Sequence, residues 1–82
     1  MENVIYVGRK PIANYILALL HALSNHSKVT VAARGRNISK AVAAVVLTQK
    51  RHLPNLKIEN VKIGTLYVGK KGISTIEITA RL

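Results

Sequence analysis

The 82-residue chain has no cysteine, no tryptophan and no phenylalanine. Without cysteine there is no disulfide framework, no thiolate metal site and no cysteine nucleophile, which fits a reducing compartment. The three tyrosines are the only aromatic residues, so bases would find few stacking platforms. Tyr6 and Tyr15 fall inside apolar patterns and are expected in the core, which leaves Tyr67 as the one stacking candidate. Acids are as scarce: Glu2, Glu59 and Glu77 stand alone, and no two lie close enough in sequence to work as an acid and base pair. His21, His26 and His52 lack the i, i+4 spacing and the neighbouring carboxylates of a metal site. No G-x-x-x-x-G-K-[ST] loop is present. An enzyme is therefore not expected, and no catalytic residue, metal ligand or cofactor is assigned. The longest apolar runs, "YILALL" and "AVAAVVL", are far too short to span a bilayer, and the start "MENVIYVGRK" lacks the apolar stretch of a signal peptide. No membrane partner and a cytoplasmic location are expected.

Cations, by contrast, are abundant. Thirteen lysines and arginines give a net charge of +10, while 49 % of residues are hydrophobic. That hydrophobic content, with clear periodicity, separates the chain from a disordered basic tail. It reads as a folded polycation, whose commonest partners are nucleic acids. A domain of this size buries little surface, so regular packing or association with a second copy is expected.

"NVIYVG" (3–8) is a β-branched and aromatic run ended by Gly8. It reads as a strand apolar on both faces, as a central strand covered by helices would be. A helix starting at Pro11 follows, with Ile12, Tyr15, Ile16, Leu19, Leu20 and Leu23 spaced three and four apart. "KVTVAAR" (28–34) alternates and reads as a second strand. Gly35 breaks it, Asn37 can cap, and Ile38, Ala41, Val42 and Val45 form the inward face of a second helix running to about Leu53, before Pro54. "KIENVKIGTLYV" and "ISTIEITARL" flank "GKKG" (69–72) and read as a β-hairpin. Ile76, Ile78, Ala80 and Leu82 share one face of the last strand, and a shift of apolar parity between Ile58 and Val61 predicts a bulge near Asn60. The order is βαβαββ in one domain, residues 1–82, with no linker or repeat. The fold class expected is α+β, a two-layer sandwich with a mixed four-stranded sheet.

Strand–helix–strand units are parallel crossovers, so the first three strands should point the same way and their ends should meet at one edge. That edge would gather "GRKP" (8–11), "RGR" (34–36) and the hairpin tip "GKKG", where open α/β sheets bind ligands. Both helix starts carry cations, Arg9 and Lys10 before Pro11 and Arg36 and Lys40 around Asn37. The helix dipole favours anions there. A bound phosphate would resolve the conflict at both. The candidate nucleic-acid-binding residues are thus Arg9, Lys10, Arg34, Arg36, Asn37, Lys40, Lys70 and Lys71.

"VGRKPIANYILALL", "ARGRNISKAV", "KIGT" and "ISTIEI", in that order along the chain, resemble the Alba family of archaeal chromatin proteins, and "ARGRNISKAV" is the most specific block. The resemblance implies a compact βαβαββ domain related to the C-terminal domain of translation initiation factor three. It also implies a homodimer, or a heterodimer with a paralogue, that coats and compacts double-stranded DNA with little sequence preference, with the hairpin as an arm along the groove. The family's basic contacts carry over to Arg9, Lys10, Arg34 and Arg36. Where relatives have a lysine associated with acetylation this chain has Arg9, and where the second helix has an acidic pair it has Ala43 and Val46. His52 aligns with a phenylalanine that packs dimers side by side. Val46, Gln49, His52 and Leu53 are the candidates for a dimer or dimer–dimer interface. The reading is a non-catalytic, chromosome-associated DNA-binding dimer. The alternative is an RNA-binding protein, in ribonucleoprotein assembly or RNA stabilisation, using the same surface.

Overall fold

The computed structural model describes residues 3–82; Glu2, weighed above at the start of the chain, lies outside the described residues. The elements are β1 (Val4–Tyr6), α1 (Ile12–Asn25), β2 (Lys28–Arg34), a 3-10 turn (Gly35–Asn37), α2 (Ile38–Arg51), β3 (Lys57–Val68) and β4 (Lys71–Arg81). They form a mixed four-stranded sheet in the order β1-β2-β4-β3. β1 is parallel to β2, and β4 is antiparallel to both its neighbours, so β1, β2 and β3 point the same way. The expected α+β class holds, with both helices packed on one face of the sheet.

Alternation places Val29, Val31 and Ala33 of β2 and Ile76, Ile78 and Ala80 of β4 under the helices, where all are buried. Tyr15, Leu19, Ala22 and Leu23 of α1 and Ala41, Ala44, Val45 and Thr48 of α2 close the core from above. Alanines at 41 and 44 let α2 approach closely, and Thr48 satisfies its hydroxyl by donating to the Ala44 carbonyl at 2.7 Å. His52 and Leu53 both donate from backbone N–H to the Thr48 carbonyl. Gln49 Nε2 bonds the Leu56 carbonyl at 2.6 Å, and Leu56 is buried beneath the turn that Pro54 begins.

Several expectations need correction. β1 is an edge strand, and the helices cover one face only, so Tyr6 on the other face is 77 % exposed and not in the core. Pro11 precedes α1 as its cap residue because its carbonyl accepts the first helical bond, from Asn14 N–H at 3.0 Å. Asn37 makes no side-chain cap bond: the chain turns helical at Gly35, which leaves Asn37 inside the turn with φ −85 and ψ −7. α2 ends at Arg51 rather than Leu53. Val42 is 40 % exposed, since Ala41, Ala44, Val45 and Thr48 already fill the buried stripe. Leu82, past the end of β4, is also exposed. The bulge lies where it was expected, the register shifting between Ile58 and Asn60 around Glu59.

Candidate nucleic-acid interface

Because β1 and β2 are parallel neighbours, the loop after β1 and the turn after β2 emerge side by side. Val7 N–H continues the pairing to the Ala32 carbonyl at 2.8 Å, and the chain then leaves the sheet at Gly8. Two side chains hold the segment from Gly8 to Lys10. The Tyr15 phenol oxygen accepts from Gly8 N–H at 2.8 Å and from Lys10 N–H at 3.2 Å. The Lys40 amine donates to the carbonyls of Gly8 and Lys10, both at 2.8 Å, and stands 5.9 Å from the Tyr15 ring centre. Lys40, expected as a phosphate contact, therefore spends its amine tying α2 to this loop. The partners lie thirty or more residues away in sequence, which is why local pattern does not reveal them. Tyr15 is a core residue with a polar tip that positions the loop, a role that reading it as core alone misses.

The opposing turn is organised by backbone geometry. Gly35 has φ +57, a conformation that side-chain-bearing residues rarely adopt, and its open side faces Ile73 of β4. Arg34 precedes the turn in extended conformation and Arg36 sits within it. Arg9, Lys10, Arg34 and Arg36 are all exposed. Neither α1 nor α2 has an acid in its first turn or a side-chain cap bond. Between the two loops lies a concavity of about 750 Å³ lined by Tyr6, Arg9, Ala32, Arg34, Asn37 and Glu77 among others.

The third basic cluster points the same way but stands apart. β2 ends at the Arg34–Thr75 pair, while the β3–β4 ladder continues through Thr65–Ser74, Leu66–Ile73, Tyr67–Gly72 and Val68–Lys71. The hairpin thus projects about 13 Å beyond the sheet body at roughly 3.3 Å per residue. The turn is Gly69–Lys70 alone, with Gly69 at φ +63, so Lys71 and Gly72, placed in the tip by sequence, belong to β4. Tyr67 lies against Gly72, where an added Cβ would come within 3.3 Å of its ring. It stiffens the arm and still exposes 72 % of its surface.

The ion pairs sit at the far end. Glu59, at the bulge, pairs with Lys28 at 2.9 Å and Arg81 at 3.3 Å. The hydrogen bond from Lys28, and after it that from Arg81, hold the Glu59 carboxyl below its ordinary value of 4.5 although partial desolvation pushes it upward. Among the described residues no acid forms an ion pair with the loop or tip cations, so their charged groups are left free for a partner.

The interface candidates on α2 are dispersed in burial. Leu53 packs against the core, Val46 and Gln49 are half-buried, and His52 is exposed at the helix end. A larger feature went unread in the sequence: every residue of β3 is exposed, and Ile58, Val61 and Ile63 present an apolar row on the helix side of the sheet beyond the helices. Strand alternation was its signal.

Comparison with known proteins decides the family. The Alba family model matches residues 3–65. The chain belongs to the Alba family. It is 40 % identical over 83 residues to the DNA/RNA-binding protein Alba of Thermoplasma acidophilum, covering 95 % of this chain and 93 % of that one. Against DNA/RNA-binding protein Alba 1 of Archaeoglobus fulgidus it is 40 % identical over 82 residues, covering 94 % and 92 %. The solved structure of Alba from Thermoplasma volcanium superposes with a TM-score of 0.92 at 36 % identity, covering 98 % of this chain and all of that one. The Alba match takes in both basic loops and stops short of Lys70 and Lys71 at the tip.

Proposed function

We propose that residues 1–82 form one non-catalytic nucleic-acid-binding domain that, as a dimer, coats and compacts double-stranded DNA without regard to sequence. The observation that carries this reading is the convergence of Arg9 and Lys10 with Arg34 and Arg36 at one end of the sheet, beside two helix starts free of acids. Exposed guanidinium and ammonium groups there suit phosphate oxygens, and phosphate contacts position a protein on a duplex without reading its bases. Lys70 and Lys71 on the projecting arm extend the same chemistry along the backbone. Lys40 supports the loop through its bonds to Gly8 and Lys10, and Asn37 stands beside the loop cations as a further polar contact. The names of the relatives, DNA/RNA-binding protein Alba, agree with this chemistry.

Dimerisation proceeds through the uncovered helix side of β3. Ile58, Val61 and Ile63 form an apolar strip of a kind that is rarely left to water, and Val42 and Val46 of α2 add partly exposed apolar surface on the same side of the sheet. A second copy of the chain supplies the same strip, as an isologous two-fold interface requires; a paralogue of matching surface would serve equally. A cytoplasmic, chromosome-associated location follows from such binding, and no described helix is long and apolar enough to cross a membrane. Binding of RNA through the same basic end is the second reading, favoured by the relatives' names.

The test is affinity for two unrelated duplexes across a salt series. Log affinity should fall linearly with log salt, by about 0.9 for each phosphate neutralised, and equally for both sequences. A flat response refutes the reading, and a large difference between the duplexes replaces it with base readout.

A further inference from the structure

The face of the sheet away from the helices carries a feature that phosphate tracking does not use. Across it, in register, run Tyr6 on β1, Ala32 on β2, Glu77 on β4 and Lys62 on β3. Paired residues on neighbouring strands stand about 5 Å apart, so the small Ala32 side chain makes a depression between an exposed tyrosine ring and a carboxylate. This is the floor of the concavity whose rim bears Arg9, Arg34 and Asn37. Tyr6 is 77 % exposed on a strand three residues long, so its ring face is open to a ligand.

Glu77 faces Lys62 across the β3–β4 pair and also borders the concavity. An acid on the floor of a cationic concavity repels phosphate, and among the described residues Glu77 forms no ion pair, unlike Glu59. A carboxylate accepts hydrogen bonds, so it suits a ligand group that brings N–H donors. A nucleobase combines the needed properties: a π face for Tyr6, amino or imino donors on its edge for Glu77, and a phosphate on either side for Arg9 and Arg34. In a duplex these faces and edges are already occupied by stacking and pairing. Unpaired, splayed bases are found above all in the loops, bulges and ends of RNA, and open four-stranded sheets bind them through exposed aromatic residues.

We infer that this concavity is a binding site for one unpaired base of RNA, stacked on Tyr6 and held at its edge by Glu77, with its flanking phosphates on Arg9 and Arg34. The inference rests on the nucleic-acid reading above and adds to it a ligand class, single-stranded RNA, and a base site on the open face of the sheet that shares Arg9 and Arg34 with the duplex surface.

The experiment uses a hairpin RNA with 2-aminopurine at one loop position, the same RNA with the analogue in its stem, a DNA hairpin of the same sequence, and a fully paired DNA duplex. The full-length protein should quench the loop analogue and not the stem analogue. Tyr6→Leu should abolish that quenching and weaken loop RNA binding by about 5- to 160-fold, the range for one base–aromatic stack, while duplex DNA affinity stays unchanged. Tyr6→Phe should restore quenching, because the ring and not the hydroxyl forms the platform. Glu77→Gln, which gives the edge a donor as well as an acceptor, should erase any preference for cytidine over uridine at the loop position. Tyr6 and Glu77 are both exposed, so these variants test the site without disturbing the core. Equal loss of loop RNA and duplex DNA binding in Tyr6→Leu, or no loss of either, overturns the inference and leaves the duplex reading standing. Quenching of the DNA hairpin to the same extent overturns the assignment to RNA. Failure of the unaltered protein to bind any of the four nucleic acids overturns the nucleic-acid reading itself.

Discussion

β2 and β3 flank β4 on either side, and each sets aliphatic residues on the helix side of the sheet. On β2 these residues, Val29, Val31 and Ala33, are buried; on β3 the corresponding Ile58, Val61 and Ile63 are 44 %, 51 % and 77 % exposed. Their chemistry is nearly the same, and what differs is cover. α1 and α2 lie over β1, β2 and β4 and reach no further, so the apolar face of β3 is left for another molecule. One alternating pattern thus serves two tasks in the same sheet, folding of the chain on β2 and, in our proposal, pairing of two chains on β3.

The sharpest way to break this comparison is to alter one residue on each side of it. Ile63→Asp should leave the monomer folded, because the residue is exposed, yet abolish the dimer: an unpaired charge buried at an interface costs about 3–5 kcal/mol. Sedimentation would show a monomer at concentrations where the unaltered chain is a dimer. Val31→Ala should do the reverse, lowering stability by about 2–3 kcal/mol through lost burial and a cavity, with the oligomer intact while folded. Thermal unfolding at several protein concentrations separates the two, since only the dimer effect depends on concentration. If Ile63→Asp leaves the mass unchanged, the β3 face is not the dimer interface.

A smaller effect sharpens the contrast between cations that bind and cations that build. Lys40→Met keeps the aliphatic stem and removes the bonds to the Gly8 and Lys10 carbonyls. It should cost about 1–2 kcal/mol of stability, within the range for charged hydrogen bonds at a partly exposed site. Duplex affinity should fall because Arg9 and Lys10 lose their fixed position, while the salt slope stays the same. A slope reduced by about 0.9 would instead place the Lys40 amine on a phosphate.

Gly69→Ala in the arm should cost about 1 kcal/mol through its left-handed backbone, with no clash because the space around it is open. The loss should appear as faster amide exchange confined to the hairpin. Smallest of all is the far-end ion-pair group. The folded-state value of Glu59 is lowered, so its contribution to stability is present at neutral pH, above the ordinary 4.5, and is lost as pH falls through the lowered value. Glu59→Gln should therefore be slightly less stable than the unaltered chain at pH 7, with the gap closing on acidification. The effect is small because the carboxylate is solvated and screened.

The sequence made the body of the fold legible where period and breakers agree. β2 over 28–34, the α1 stripe through Tyr15, Leu19 and Leu23, and the bulge beside Asn60 are all visible in the order of residues. Cover is not visible there, because alternation says which side of a strand is apolar and not what lies against it. Tyr6 on the open face and Ile63 beyond the helices escaped for that reason. The basic loops were legible because their cations cluster at breaks. The internal role of Lys40 was not, since its acceptors are backbone carbonyls that only the α2 packing brings near. The separation of Lys70 and Lys71 from the loops depends on how far β3 and β4 outrun β2, a difference in strand length that spacing alone does not resolve.

The measurement that most directly tests the central claim compares two pairs of charge removals on one duplex. Arg34→Ala with Arg36→Ala removes two cations from the loop end, and Lys50→Ala with Arg51→Ala removes two exposed cations from the last turn of α2 at the opposite end. Net charge falls equally in both. If phosphates bind at the loop end, the first pair reduces the slope of log affinity against log salt by about 1.8 per chain, and the second leaves it unchanged. Equal reductions in the two variants would mean that DNA responds to overall charge alone, and would contradict the assignment of binding to that end of the sheet.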